Sequence, residues 1–254
     1  MNFADVLRSE WTKLRSVRST YWTMFFAVAV TIGVAVIVCV KWAQDIRHSP
    51  GTTIDATTIS LNGIFLAQVA VGTLGVMVIG SEYGTGMIRA TFGAVPQRRA
   101  VLAAKGLVFG VVTLVLGEVL SFAAFGIGQA ILSGAHAGVS LGQPEVLRAV
   151  VGGGLYLAAV GLLGFGIGAL LRHTAGALSA FFGILFALTA LTDLLPTSWR
   201  NDVMPYMPAN AGTQIFAVQR VHDALAPWTG LGVLCLYAVA AITAAAVLVT
   251  RRDA

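Results

Sequence analysis

The chain has 254 residues, 57% of them hydrophobic and only 11% charged, with a formal net charge of +5. A soluble domain carries about 25% charged residues, and the mean hydropathy of +0.84 points the same way. These values exclude an ordinary soluble enzyme, and no basic patch interleaved with stacking aromatics suggests a nucleic-acid partner.

Residues 3–18 are amphipathic. Phe3, Val6 or Leu7, Trp11 and Leu14 recur at helical spacing, with Arg8, Lys13, Arg15 and Arg18 beside or opposite them. A basic helix with Trp on its apolar side lies in the headgroup plane. Residues 1–20 therefore read as an interfacial elbow helix, the alternative being a simple topogenic charge cluster. Six apolar stretches follow, at about residues 21–40, 59–79, 106–132, 149–171, 174–195 and 228–249. Each approaches or exceeds the roughly 20 residues that cross a bilayer. The first follows a basic segment and is long enough to span, so it reads as a retained span and not a cleaved signal. The connections are too short for a soluble domain. Residues 21–254 thus read as one all-α integral membrane domain of six transmembrane helices.

Charge sets the expected orientation. Arg8, Lys13, Arg15, Arg18, Arg89, Arg98, Arg99, Lys105, Arg172, Arg251 and Arg252 fall on one side. Lys41, Arg47, Arg148, Arg200 and Arg220 fall on the other. Positive charge marks the cytoplasmic side, so both termini and residues 81–105 are expected there.

The outer connections come next in the reading. Pro50 and Gly51 signal a turn between spans 1 and 2. Residues 196–227 are too apolar for a solvated loop and read as short, partly re-entrant outer helices, the foremost at 209–220 with Asn210 near its N-cap. Spans 4 and 5 are joined by residues 171–174 alone, a tight hairpin whose Arg172 and His173 read most simply as topogenic. Gly106-x-x-x-Gly110 and Gly164-x-x-x-Gly168 are small-residue patterns that permit close helix approach.

Catalytic signatures are missing. The chain has no phosphate-cradling Gly-x-x-x-x-Gly-Lys-[Ser/Thr], no His-Glu-x-x-His and no Gly-x-Ser-x-Gly. Its four histidines lie on separate loops, and Cys39 and Cys235 lack metal-ligand spacing. Three polar residues of the spans stand out. Gln68 in span 2 reads as interhelical glue or part of a substrate path. Glu118 in span 3 is a functional hypothesis by default: a proton site, a cation site, or a hydrogen-bonded acid. Asp193 at the outer end of span 5 reads as interfacial.

Residues 81–105 are the most informative loop. Glu82 follows span 2, and Gly84 and Gly86 allow a sharp turn. Residues 87–92 can form a short helix carrying an exposed Arg89, with Gly93 breaking it. Pro96 suits the first turn of the next helix. Arg98, Arg99 and Lys105 lead into span 3. Such a compact polar knob can carry force between a membrane bundle and a soluble partner, where an ordinary topogenic loop needs only the basic residues.

The order Glu82-x-Gly84-Thr85-Gly86, Arg89, Pro96-x-Arg98-Arg99, Lys105 resembles the segment between spans 2 and 3 of ABC-2 type transporter permeases. Glu10-Trp11-Thr12-Lys13-Leu14-Arg15-Ser16 is similar to the N-terminal elbow of bacterial members, and Met207-Pro208-Ala209-Asn210-Ala211-Gly212 to their outer segment before span 6. The resemblance implies a half-transporter that pairs with a second permease, identical or paralogous, in the bacterial plasma membrane. It implies two copies of a separate ATPase beneath, which bind ATP and Mg, with no cofactor on this chain. It implies a coupling helix within 81–105 seated on the ATPase, through Glu82, Tyr83, Gly84, Gly86, Arg89, Pro96, Arg98 and Arg99, with Arg172 in a second, smaller contact. The expected substrate is a hydrophobic drug, antimicrobial peptide or lipid, moved outward along a path near spans 1, 2 and 5. The competing readings are a proton-coupled carrier using Glu118 and a non-transporting membrane sensor.

Overall fold

A computed structural model of the protein describes residues 3–16, 18–48, 55–94, 97–192, 194, 196–219 and 224–251. Among these, every regular element is a helix. Helix α1 (Phe3–Ser16) precedes α2 (Arg18–His48), the first span. Then come α3 (Ala56–Ser60), α4 (Ile64–Gly84), α5 (Met87–Ala94) and α6 (Arg98–Ser133). Helix α7 (Pro144–Leu171) is followed by α8 (Thr174–Phe182), a π-helical turn (Gly183–Ala187) and α9 (Leu188–Thr192). Between the fifth and sixth spans lie α10 (Thr197–Val203), a 3-10 turn (Met204–Tyr206) and α11 (Pro208–Thr213), before α12 (Pro227–Arg251). Six helices are long and apolar enough to cross a membrane: α2, α4, α6, α7, the run from α8 to α9, and α12.

Helix α7 is the axis of the bundle. Its apolar stretch is 78% buried, against 17% for the fifth span and 22% for the first and sixth. Glycine explains how α4 reaches it. A methyl group on Gly164 would come within 2.3 Å of Gly72 O, and one on Gly75 within 2.2 Å of Gly161 O. The two backbones are thus in near contact, which only residues without a Cβ permit. The Gly164-x-x-x-Gly168 pattern lies on this seam, while Gly106 and Gly110 face Phe165 and Leu162 side chains. Around the seam pack Leu61, Val71, Leu120, Tyr156, Leu157, Phe181, Phe216 and Leu234.

Several element ends differ from the sequence reading. Span 2 is broken at its N-terminal end. Asp55 caps α3 by accepting from Thr57 N and Thr58 N at 3.1 and 3.0 Å, and a turn follows before α4. The short helix expected at 87–92 runs through Gly93 to Ala94 instead of stopping before it. The outer helix is Pro208–Thr213, shorter than 209–220, with Met207 and not Asn210 at the N-cap. Arg148 accounts for its early end: Nη1 donates to Ile215 O at 2.8 Å and Nη2 to Ala217 O at 2.9 Å, holding those carbonyls outside a helix. Pro50, Gly51, Pro96, Asp193 and Arg220 lie outside the described residues.

Candidate functional site

Four charged side chains meet where the elbow crosses the base of the bundle. On α1, Val6, Glu10 and Leu14 recur every fourth residue and share one face. Val6 packs against Val101 and Ala104 of α6. Glu10, one turn on, is carried down beside them and is 3% exposed. Lys105 of α6 donates to Glu10 Oε2 at 2.5 Å and to Glu82 Oε1 at 2.7 Å. Lys13 donates to Glu10 Oε1 at 2.7 Å and lies 3.7 Å from Glu82 Oε1. It also donates to Thr91 Oγ1 of α5 at 3.2 Å.

The energetics follow from burial. A charge removed from water is tolerated only when paired and hydrogen-bonded. Here two ammonium groups balance two carboxylates, so the cluster is electrically neutral. Only Lys13, about one-third exposed, reaches the surface. The cluster ties together α1, the end of span 2, α5 and the start of span 3. One acceptor is left over: Glu82 Oε2 is enclosed and has no hydrogen-bond donor among the described residues.

A second constellation lies at the same end. The short tip after α7 is possible because Arg172 adopts a left-handed backbone, φ 57°. Its guanidinium stacks over the Tyr83 ring, 5.3 Å from the centroid, and its Nη2 donates to Leu248 O at 3.3 Å. Arg98 Nη1 donates to Val249 O at 3.4 Å, and Arg99 Nη2 to Thr250 Oγ1 at 3.3 Å. The last carbonyls of a helix lack intrahelical partners and carry partial negative charge. Three arginines from two other segments therefore brace the end of α12.

The remaining residues singled out by sequence fall as follows. Gly84 is the last residue of α4, with open space where a side chain would be. Gly86 has φ +71°, and its N–H donates to Tyr83 O at 3.2 Å, so it makes the turn. Arg89 lies within α5, its side chain outside the described ones. Gln68 is buried with both ends of its amide engaged: Oε1 accepts from Tyr156 Oη and Nε2 donates to Phe65 O at 2.9 Å. Glu118 is half-buried, its carboxyl lying over Gly154, and its Oε2 has no partner among the described residues. Pairing of Glu10 with Lys105 is what sequence reasoning missed. Its signal was the register of Glu10 with Val6 and Leu14, an acid centred on an apolar stripe.

This is a six-span helical membrane protein whose polar machinery is gathered at one end, around the loop between spans 2 and 3. The model for the ABC-2 family transporter protein matches residues 6–190, from the elbow to the end of the fifth span, and the chain belongs to that family. It is thus a permease, the membrane component of an ABC transporter, of a kind that associates with an ABC ATPase subunit. No curated protein matches the chain.

Proposed function

We propose that the chain is the membrane subunit of an ATP-driven exporter of hydrophobic or amphiphilic compounds. Its ATPase is a separate polypeptide, present in two copies and carrying the ATP and Mg²⁺. A second permease, identical or paralogous, completes the pore in a bacterial plasma membrane. Both termini and the 81–105 loop face the cytoplasm. The ATPase contact is built from Tyr83, Gly84, Gly86, Arg89, Pro96, Arg98 and Arg99, with Arg172 at the smaller tip, while Glu82, buried in the ion-paired cluster, supports it from behind.

One observation carries this reading: the Glu10–Lys105–Glu82–Lys13 cluster, with its reach to Thr91. A displacement of α5 by a soluble motor passes through rigid ionic links to the elbow and to spans 2 and 3. A loop serving only to orient the chain needs no such links.

The test is affinity purification of the tagged chain from gently solubilised native membranes. Recovery of a stoichiometric P-loop ATPase whose hydrolysis drives substrate efflux in vesicles is expected. Reproducible absence of any ATPase from a monodisperse preparation would overturn the proposal.

A further inference from the structure

Beside the ion-paired cluster lies a cavity of about 190 Å³, between α1 and the basal parts of spans 1 to 3. Its walls include the apolar side chains of Leu14, Leu74 and Val78, and its polar lining includes Glu10, Lys13, Ser16, Ser81, Glu82 and Lys105. Lys13 and Lys105 are turned to the two carboxylates and to Thr91, and the buried lining atom without a partner among the described residues, Glu82 Oε2, is an acceptor. Ser16 Oγ donates to Lys13 O at 2.8 Å, and Ser81 Oγ donates to Met77 O at 2.7 Å. Both hydroxyl protons are thus used within the chain, and the two oxygens are left as acceptors. Glu82, whose side chain is only 6% exposed, adds Oε2, an acceptor with no donor among the described residues. The last torsion of a glutamate is soft, so a small turn brings Oε2 to a cavity its own side chain lines.

What fits is a donor. The donor must also be neutral, because the two lysines already balance the two carboxylates and a third ammonium would leave unbalanced buried charge. The apolar wall calls for a hydrocarbon chain. We propose that this cavity binds an amphiphile with a hydroxyl-bearing head group, the hydroxyls donating to Glu82, Ser81 and Ser16 and the chain lying along Leu14, Leu74 and Val78. The site does not depend on the export reading. A lipid of the inner leaflet and a free single-chain amphiphile share this chemistry.

The purified chain in phosphatidylcholine nanodiscs tests it, with dodecylglycerol as the probe and native mass spectrometry and thermal unfolding as readouts. Saturable binding that raises the unfolding temperature is expected. The analogue with both hydroxyls methylated, and dodecylamine, should each bind at least tenfold more weakly. Val78→Phe fills the cavity and Ser81→Ala removes an acceptor without touching the cluster. Val78→Phe should weaken dodecylglycerol at least tenfold and Ser81→Ala severalfold, each in a preparation as monodisperse as the parent. Diacylglycerol built into the disc tells the sources apart: binding of both marks a bilayer lipid, and binding of dodecylglycerol alone a free amphiphile. Equal affinity for the methylated analogue, or undiminished binding in both variants, or no binding of either glyceride, overturns the proposal. The ATPase pulldown is unaffected by any of these outcomes.

Discussion

Lys105 Nζ and Glu10 Oε2 lie 2.5 Å apart although 95 positions separate them in the chain. Both are about 95% or more buried. Removing one partner leaves an uncompensated charge, whereas removing all of them together does not. Lys105→Met alone should therefore destabilise the protein by about 3–5 kcal/mol. The combined change Glu10→Leu, Lys13→Met, Glu82→Leu and Lys105→Met should leave stability near or above that of the parent. Thermal unfolding in detergent checks both. If the combined variant still assembles with its ATPase, its ATP hydrolysis should no longer drive efflux, which separates coupling from folding.

The α4–α7 seam gives a second expectation. Gly164→Ala places a methyl group 2.3 Å from Gly72 O, which forces the two spans apart. The expected loss is about 1–3 kcal/mol, as for other overpacked cores. Gly232→Ala, where nothing lies within 4 Å, is the control and should change stability little. Comparable losses at the two positions would contradict the seam.

Gln68 is expected to act as glue. Its amide joins span 2 to Tyr156 of span 4. A double-mutant cycle with Gln68→Leu and Tyr156→Phe should give a coupling of about 0.6–1.7 kcal/mol, the range seen for polar pairs between membrane helices. Substrate selectivity of the Gln68→Leu variant should match the parent. A change of selectivity without a coupling energy would restore Gln68 to the substrate path.

Glu118→Gln keeps the shape of the side chain and removes its proton chemistry. ATP-driven efflux is expected to continue at the parent rate. Reconstituted parent protein without ATPase should show no flux under a pH gradient. Proton-driven flux that Glu118→Gln abolishes would favour the carrier reading instead.

Arg98→Glu with Arg99→Glu reverses charge at the start of α6. Less ATPase should co-purify. The same change removes two of the three braces on α12. Amide hydrogen exchange in the last turn of α12 should rise, and that local readout distinguishes a lost brace from a lost docking contact.

Much of the fold was legible because membrane spans announce themselves by composition. The N-terminal helix, the six spans and the short helix between spans 2 and 3 were all readable from apolar runs and their breaks. The details that escaped depend on distant partners or on backbone geometry. The outer helix stops at Thr213 because Arg148, some 66 to 69 positions earlier, takes the carbonyls beyond it. The π-helical turn at Gly183–Ala187 adds one residue to a turn, a change that hydropathy does not register. In the candidate site, Glu82 and Lys105 were visible as polar residues flanking a loop. That the elbow supplies the second carboxylate was not, because register shows that Glu10 faces inward but not what it meets.

The pairing of Glu10 with Lys105 also dates the maturation of the N-terminal helix. The ribosome makes the acid early and its buried counter-charge 95 residues later, about 5–20 s at ordinary elongation rates. Until then the elbow can insert and fray but not lock, and its neighbour Lys13 holds the acid in the meantime. Nascent chains halted before residue 105 should leave α1 open to protease, and chains halted well after it should not. The first helix made is thus fastened only once the third span has begun to emerge.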